Sequence, residues 1–125
     1  MKKIIKIPNA PAPIGPYSQA VVKNNTLYVS GQIPLDPFDG ELKCQSIQEA
    51  TEQVMTNITA LVETAGFQME DVVKCSIFLK SLDDFTEVNR VYESYFQVDP
   101  PARETVQVSK LPLDVPVEIS CIAQR

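Results

Sequence analysis

The chain contains no histidine. Chemistry that needs an imidazole near neutral pH is therefore excluded, from Ser/His/Asp and Cys/His nucleophilic catalysis to a two-histidine zinc site. Acid–base work falls to carboxylates, tyrosine, lysine or cysteine. Of the three arginines, Arg125 is the last residue and Arg90 stands beside an apolar helical stripe, which leaves Arg103, just after Pro100-Pro101-Ala102 at the start of a strand. Alternation sets Arg103, Thr105, Gln107 and Ser109 on one face of that strand and Ala102, Glu104, Val106 and Val108 on the other. A polar face of this kind is either solvated or a surface on which an anion is held. In the last strand Val117, Ile119, Cys121 and Ala123 share an apolar face, leaving Glu118, Ser120 and Ile122 opposite. Glu118 is either a rim carboxylate or a semi-buried acid with a displaced pKa.

Weaker candidates surround these two. Tyr17 closes a proline-rich loop and reads either as an amphipathic rim residue or as a cleft wall. Ser30-Gly31 ends a strand: the serine is a strand-end hydrogen-bonder or a ligand contact, and the glycine a bulge or a place where a ligand nears the backbone. Asn89 falls within a helical apolar stripe, as a cap for a loop or as a ligand contact. Cys75 and Cys121 lie on apolar strand faces, where burial suppresses thiol reactivity. Cys44 precedes a helix with no base or cation evident beside it, and it stays outside the candidate site.

The elements that must position these residues follow from pattern. Lys2 to Ile7 reads as a first strand at a sheet edge, stopped by Pro8. The segment Pro8 to Tyr17 holds four of the ten prolines and is a stiff, shaped loop. Ala20–Val22 and Leu27–Gly31 flank Lys23-Asn24-Asn25-Thr26, whose asparagines suit a tight hairpin turn. Ile33 to Gly40 is turn chemistry. Ser46 and Glu49 form a capping box ahead of Ile47, Ala50, Val54, Ile58, Leu61, Val62 and Ala65 at helical spacing, with Gly66 as the stop. Asp71 to Lys80 is a strand with Val73, Cys75, Ile77 and Leu79 on one side and Val72 and Phe78 on the other, so it is covered on both faces. A second helix is expected from Asp83 or Asp84 to Phe96, with Phe85, Val88, Tyr92, Tyr95 and Phe96 on its buried stripe. Arg103–Ser109 and Val115–Ala123 complete the order β, β-hairpin, α, β, α, β, β.

Two helices cover one face of a six-stranded sheet, and Val72, Phe78 and Ile122 require cover on the other. No further helix is available, so burial against copies of the same chain is expected. A length of 125 residues with 44% hydrophobic side chains fits one domain spanning 1–125. Eleven basic against 16 acidic side chains give a net charge of −5, which repels phosphate backbones and anionic lipid and makes nucleic acid and membrane unexpected partners. Three widely spaced cysteines match neither a disulfide framework nor a metal motif, and Met1–Ile7 is too short for a signal or a span. A cytoplasmic protein is expected.

The segments Ala12-Pro13-Ile14-Gly15-Pro16-Tyr17-Ser18-Gln19-Ala20, Ser30-Gly31-Gln32-Ile33-Pro34, Val88-Asn89-Arg90-Val91-Tyr92, Pro101-Ala102-Arg103, Leu111-Pro112 and Val117-Glu118-Ile119 together resemble the RidA (YjgF/YER057c/UK114) family over nearly the whole chain. The resemblance implies an α+β fold of the Bacillus chorismate mutase type: a six-stranded mixed sheet with two helices on one face, assembled as a homotrimer with ligand sites in the clefts between subunits. It implies a 2-iminobutanoate/2-iminopropanoate deaminase, a hydrolase that converts reactive enamine/imine intermediates from pyridoxal-phosphate dehydratases into 2-oxo acids and ammonia without a cofactor or metal. Arg103 would grip the substrate carboxylate and Glu118 would activate water, while Tyr17, Ser30, Gly31, Asn89 and Thr105 would line the cleft. Three departures stand out. Thr105 replaces a cysteine common in the family, Ser120 replaces a second carboxylate, and Glu104 occupies a usually small position that parity turns away. The alternative is a non-catalytic trimer that binds small carboxylates such as 2-oxo acids or amino acids in a regulatory role. A ribonuclease or translation-inhibitor role, also ascribed to relatives, ranks third given the charge and the missing histidine.

Overall fold

The computed structural model describes residues 1–10 and 12–125, so Pro11 of the proline-rich loop lies outside the described residues. Helix α1 (Ile47–Thr64) starts where the capping pattern places it. Ser46 is extended, and its Oγ accepts the Glu49 amide at 3.0 Å, satisfying one of the donors a helix start leaves unpaired. Glu49 reaches back to the amide of Gln45, one residue before the usual reciprocal partner. Val54, Ile58, Leu61 and Val62 are fully buried along the inner stripe. Beyond the helix, Gly66 takes a φ of 84°, and the Arg125 guanidinium donates to its carbonyl while lying 4.4 Å from the Phe67 ring. The last residue thus supplies the cation that the last turn of α1 lacks.

The remaining elements are β1 (Lys3–Ile5), β2 (Ala20–Lys23), β3 (Thr26–Gln32), β4 (Val72–Leu79), α2 (Phe85–Glu93), β5 (Ala102–Gln107) and β6 (Val117–Gln124). They build one six-stranded sheet in the order β1-β2-β3-β6-β4-β5. Asn24 and Asn25 both have positive φ, 51° and 65°, as a tight hairpin between β2 and β3 demands. Only β4 and β5 run parallel, with α2 as their crossover. Both helices pack on the same sheet face, and the fold is α+β with a mixed sheet. No helix among the described residues is long and apolar enough to cross a membrane.

Two local expectations change. Strict alternation places Val73 with Cys75 and Val72 with Phe78, yet Val72 is buried in the core and Val73 is 46% exposed. The β4–β6 register shifts between Val72 and Lys74. The irregularity inserts one residue and inverts the parity before it. Helix α2 also ends at Glu93 rather than Phe96. Ser94, Tyr95 and Phe96 close with three-residue hydrogen bonds, and the Ser94 hydroxyl donates to the Val91 carbonyl, so the last turn tightens before Asp99 and Pro100. Phe96 still packs into the core.

The helix-covered face of the central strands is closed: Leu27, Cys75, Ile77, Leu79, Val117 and Ile119 are all buried. The opposite face is open and organised in rows by the register. One row carries Ile4, Val21, Tyr28 and Ile122, another Ser120, Ser76 and Glu104, and a third Glu118, Phe78 and Val106. Tyr28 is 51% exposed and Val106 41%. In the polar row the Ser76 hydroxyl donates to Glu104, whose other oxygen takes Lys74 at 2.9 Å.

Candidate functional site

Arg103 sits on edge strand β5, opposite Cys75 of β4, on the helix-covered side. Alternation puts Thr105 on the same side, two residues on and opposite Ile77. Above them runs α2, where Phe85, Asn89 and Tyr92 recur at i, i+4 and i+7 on one stripe. The Arg103 guanidinium carbon lies 5.0 Å from the Tyr92 ring centre and 5.7 Å from that of Phe85. No ion pair among the described residues includes Arg103. Thr105 Oγ1 is buried without a partner among those residues, and the buried Tyr92 hydroxyl has only the Cys75 thiol as a neighbour. An unpaired buried hydroxyl costs the fold about 1–3 kcal/mol. Burial holds the Tyr92 phenol far above its ordinary pKa, so it stays neutral, and burial likewise pushes the Cys75 thiol up. The edge therefore offers a cation with no anion, on the same side of the strand as a threonine hydroxyl with no partner among the described residues.

Glu118 lies on the opposite, open face. It faces Phe78 across the β4–β6 ladder. On its other side the β3–β6 register shifts between Val29 and Gln32, so Ser30-Gly31 bulges toward it. A Cβ added to Gly31 would stand 2.7 Å from Glu118 Cδ and 3.0 Å from its Cγ. The carboxylate lies flat on the backbone there because nothing projects from it. Desolvation raises the Glu118 pKa, with no opposing cation. Ser30 is tied to the entering loop: its hydroxyl donates to the Ser18 carbonyl at 2.6 Å and its amide to the Gln19 carbonyl at 2.9 Å. The same loop places Tyr17 next to Ser18. Tyr17 is 57% exposed, and its ring runs alongside Gly15, whose φ of 125° only glycine adopts freely.

The candidate residues thus form two clusters rather than one. Arg103 and Thr105, with Asn89 on the helix stripe above, belong to the helix side of β5. Glu118, Gly31 and Ser30 belong to the open side of β3 and β6, and Tyr17 lies on the exposed loop whose Ser18 and Gln19 are tied to Ser30. Within one chain the guanidinium and the carboxylate face away from each other across the sheet. Two surface grooves, of about 320 and 490 Å³, lie around the end of α2 and include neither group. Among the described residues no cluster of His, Cys, Asp or Glu is set to hold a metal, and the three cysteines are free. The buried stripe expected of α2 holds for Tyr92, which is 5% exposed, but not for Phe85 in the first turn, which is 39% exposed. Their role as walls for Arg103 was signalled by Asn89 in that stripe, since a polar residue among aromatic ones marks a face that is not purely core.

A family model described as Endoribonuclease L-PSP matches residues 7–125. A RutC family protein of Pyrococcus horikoshii is 48% identical over 125 residues, covering 100% of this chain and 99% of that protein. A protein of Dermatophagoides farinae named 2-iminobutanoate/2-iminopropanoate deaminase is 46% identical over 97% of this chain and 94% of its own length. Among solved structures, that of E. coli TdcF with bound serine superposes with a TM-score of 0.92 at 40% identity, covering 98% of each chain.

Proposed function

Since the chain belongs to the RidA (YjgF) family, to which the L-PSP model corresponds, we propose that it is a 2-iminobutanoate/2-iminopropanoate deaminase working as a homotrimer. One observation carries the reading. An uncompensated guanidinium and a desolvated carboxylate sit on opposite faces of one sheet. When the open face of one copy covers the β5 edge of the next, the two groups meet across the boundary. A short 2-imino acid fits between them. The planar fork of Arg103 takes its carboxylate through two charge-assisted hydrogen bonds, and Thr105 adds a hydroxyl. Asn89 and Tyr17 line the cleft, and Ser30-Gly31 brings backbone close to the ligand.

The chemistry needs no cofactor, because the C=N carbon of an imine is already electrophilic. Glu118 takes a proton from water as the oxygen adds to that carbon. The resulting carbinolamine, formed from the protonated imine, collapses: its nitrogen takes the proton back from Glu118 and leaves as ammonia, its hydroxyl gives up its own proton, and a 2-oxo acid remains. A raised pKa suits a base that must also give the proton back, a contribution typically of about 10²- to 10⁴-fold. Three free thiols fit a reducing compartment such as the cytoplasm.

The test couples the purified protein to a threonine or serine dehydratase and follows imine decay by trapping as the semicarbazone. Acceleration by the parent is expected, with Arg103→Ala, Arg103→Lys and Glu118→Gln losing on the order of 100-fold or more while keeping the fold. Decay no faster than in buffer removes the enzyme. The second reading, a binder of stable carboxylates, is favoured by the serine in the TdcF structure. It predicts binding that Glu118→Gln leaves intact and no hydrolysis at all. Cleavage of RNA, which the family model's description suggests, sits poorly with a net charge of −5 and no histidine.

A further inference from the structure

Arginines that anchor anions are commonly oriented by a carboxylate, which also neutralises them and competes with the ligand. Arg103 has no such partner among the described residues. Aromatic faces stand in its place, with both ring centres within the roughly 6 Å over which a ring quadrupole attracts a cation. Tyr92 is only 5% exposed, and it is itself braced by Phe96, whose ring centre lies 4.9 Å away at an interplanar angle of 49°. Phe85, two helical turns earlier, is 39% exposed and forms the outer wall.

We infer that Tyr92 and Phe85 are positioning residues for Arg103: an aromatic clamp that replaces a counter-ion, fixing the guanidinium while leaving its charge and its in-plane N–H donors for the carboxylate of the ligand. This rests on Arg103 being the anion anchor proposed above. Attraction to a π-face uses none of the N–H groups, whereas a carboxylate would occupy two. The clamp acts on ligand capture, so its loss shows in KM and in Kd for a stable anion and leaves kcat nearly unchanged.

The experiment titrates the full-length protein with 2-oxobutanoate by calorimetry and, in parallel, records the Arg103 Nε–H resonance. Tyr92→Leu and Phe85→Leu are each expected to weaken binding about 3- to 30-fold and to reduce the ring-current shift of that resonance, the remaining ring keeping the rest. Tyr92→Phe, which keeps the ring, is expected to bind within about twofold of the parent. Phe85→Leu, near the surface, carries the test if Tyr92→Leu does not fold. Unchanged binding in both leucine variants, with binding lost in Arg103→Ala, overturns the clamp and leaves the anchor standing. An equal loss in Tyr92→Phe and Tyr92→Leu overturns it as well, because the hydroxyl and not the ring is then at work. Unchanged binding in Arg103→Ala overturns the anchor and the clamp together.

Discussion

The Glu118 carboxyl is lifted by burial alone, with no charged neighbour contributing. Its folded-state pKa lies above the ordinary one, so the neutral form is the one the fold favours. The stability it contributes is complete below the ordinary carboxylate pKa and is lost as pH rises through the raised value. Glu118→Gln is therefore expected to melt above the parent at about pH 7, with the difference closing toward about pH 4. Scanning calorimetry at both pH values checks this. If Glu118 is the base of the proposed hydrolysis, that activity has the opposite dependence, because the base must be ionised, and its acidic limb falls above the usual carboxylate range. Gly31 belongs to the same constraint. Gly31→Ala drives a methyl into Glu118 and is expected to lower kcat on the order of 10- to 100-fold with little change in the melting curve, since a misplaced catalytic group of about 1 Å is enough.

Among the elements, α1 shows how local chemistry sets a boundary. Ser46→Ala removes the Oγ that holds the Glu49 amide, and the expected loss is about 1 kcal/mol in urea denaturation, with hydrolysis per folded molecule unchanged. The same local chemistry made α1 and the Asn24-Asn25 hairpin readable in the sequence, since caps and turns are written in adjacent residues. Val72 and Val73 were not readable. Alternation counts assume an unbroken ladder, and the irregularity that exchanges their faces arises from pairing with β6, some fifty positions away along the chain. The candidate site divides similarly. Arg103 and Glu118 stand out by residue type and by the parity of their own strands. That they point to opposite sides of one sheet depends on β6 inserting between β3 and β4, which no local periodicity encodes. Phe85 and Tyr92 acquire their role from the parallel β4–β5 pairing, which brings the α2 stripe over β5.

For the whole molecule, opposed faces make a concrete demand on assembly. If each cleft draws Arg103 from one copy and Glu118 from its neighbour, two variants that are each inactive must complement. Arg103→Ala and Glu118→Gln, unfolded together in equal amounts and refolded, are expected to regain roughly a quarter of the parent's sites. Activity no higher than that of either variant alone contradicts a shared cleft. The open face that would be covered is not uniformly apolar. The row of Ser120, Ser76 and Glu104, tied to Lys74, crosses it between the row of Tyr28 and Ile122 and the row of Phe78 and Val106. If copies of the chain do cover this face, a newly made one presents, before it meets them, two small greasy fields divided by a wetted furrow instead of one broad adhesive sheet, a surface less given to clumping.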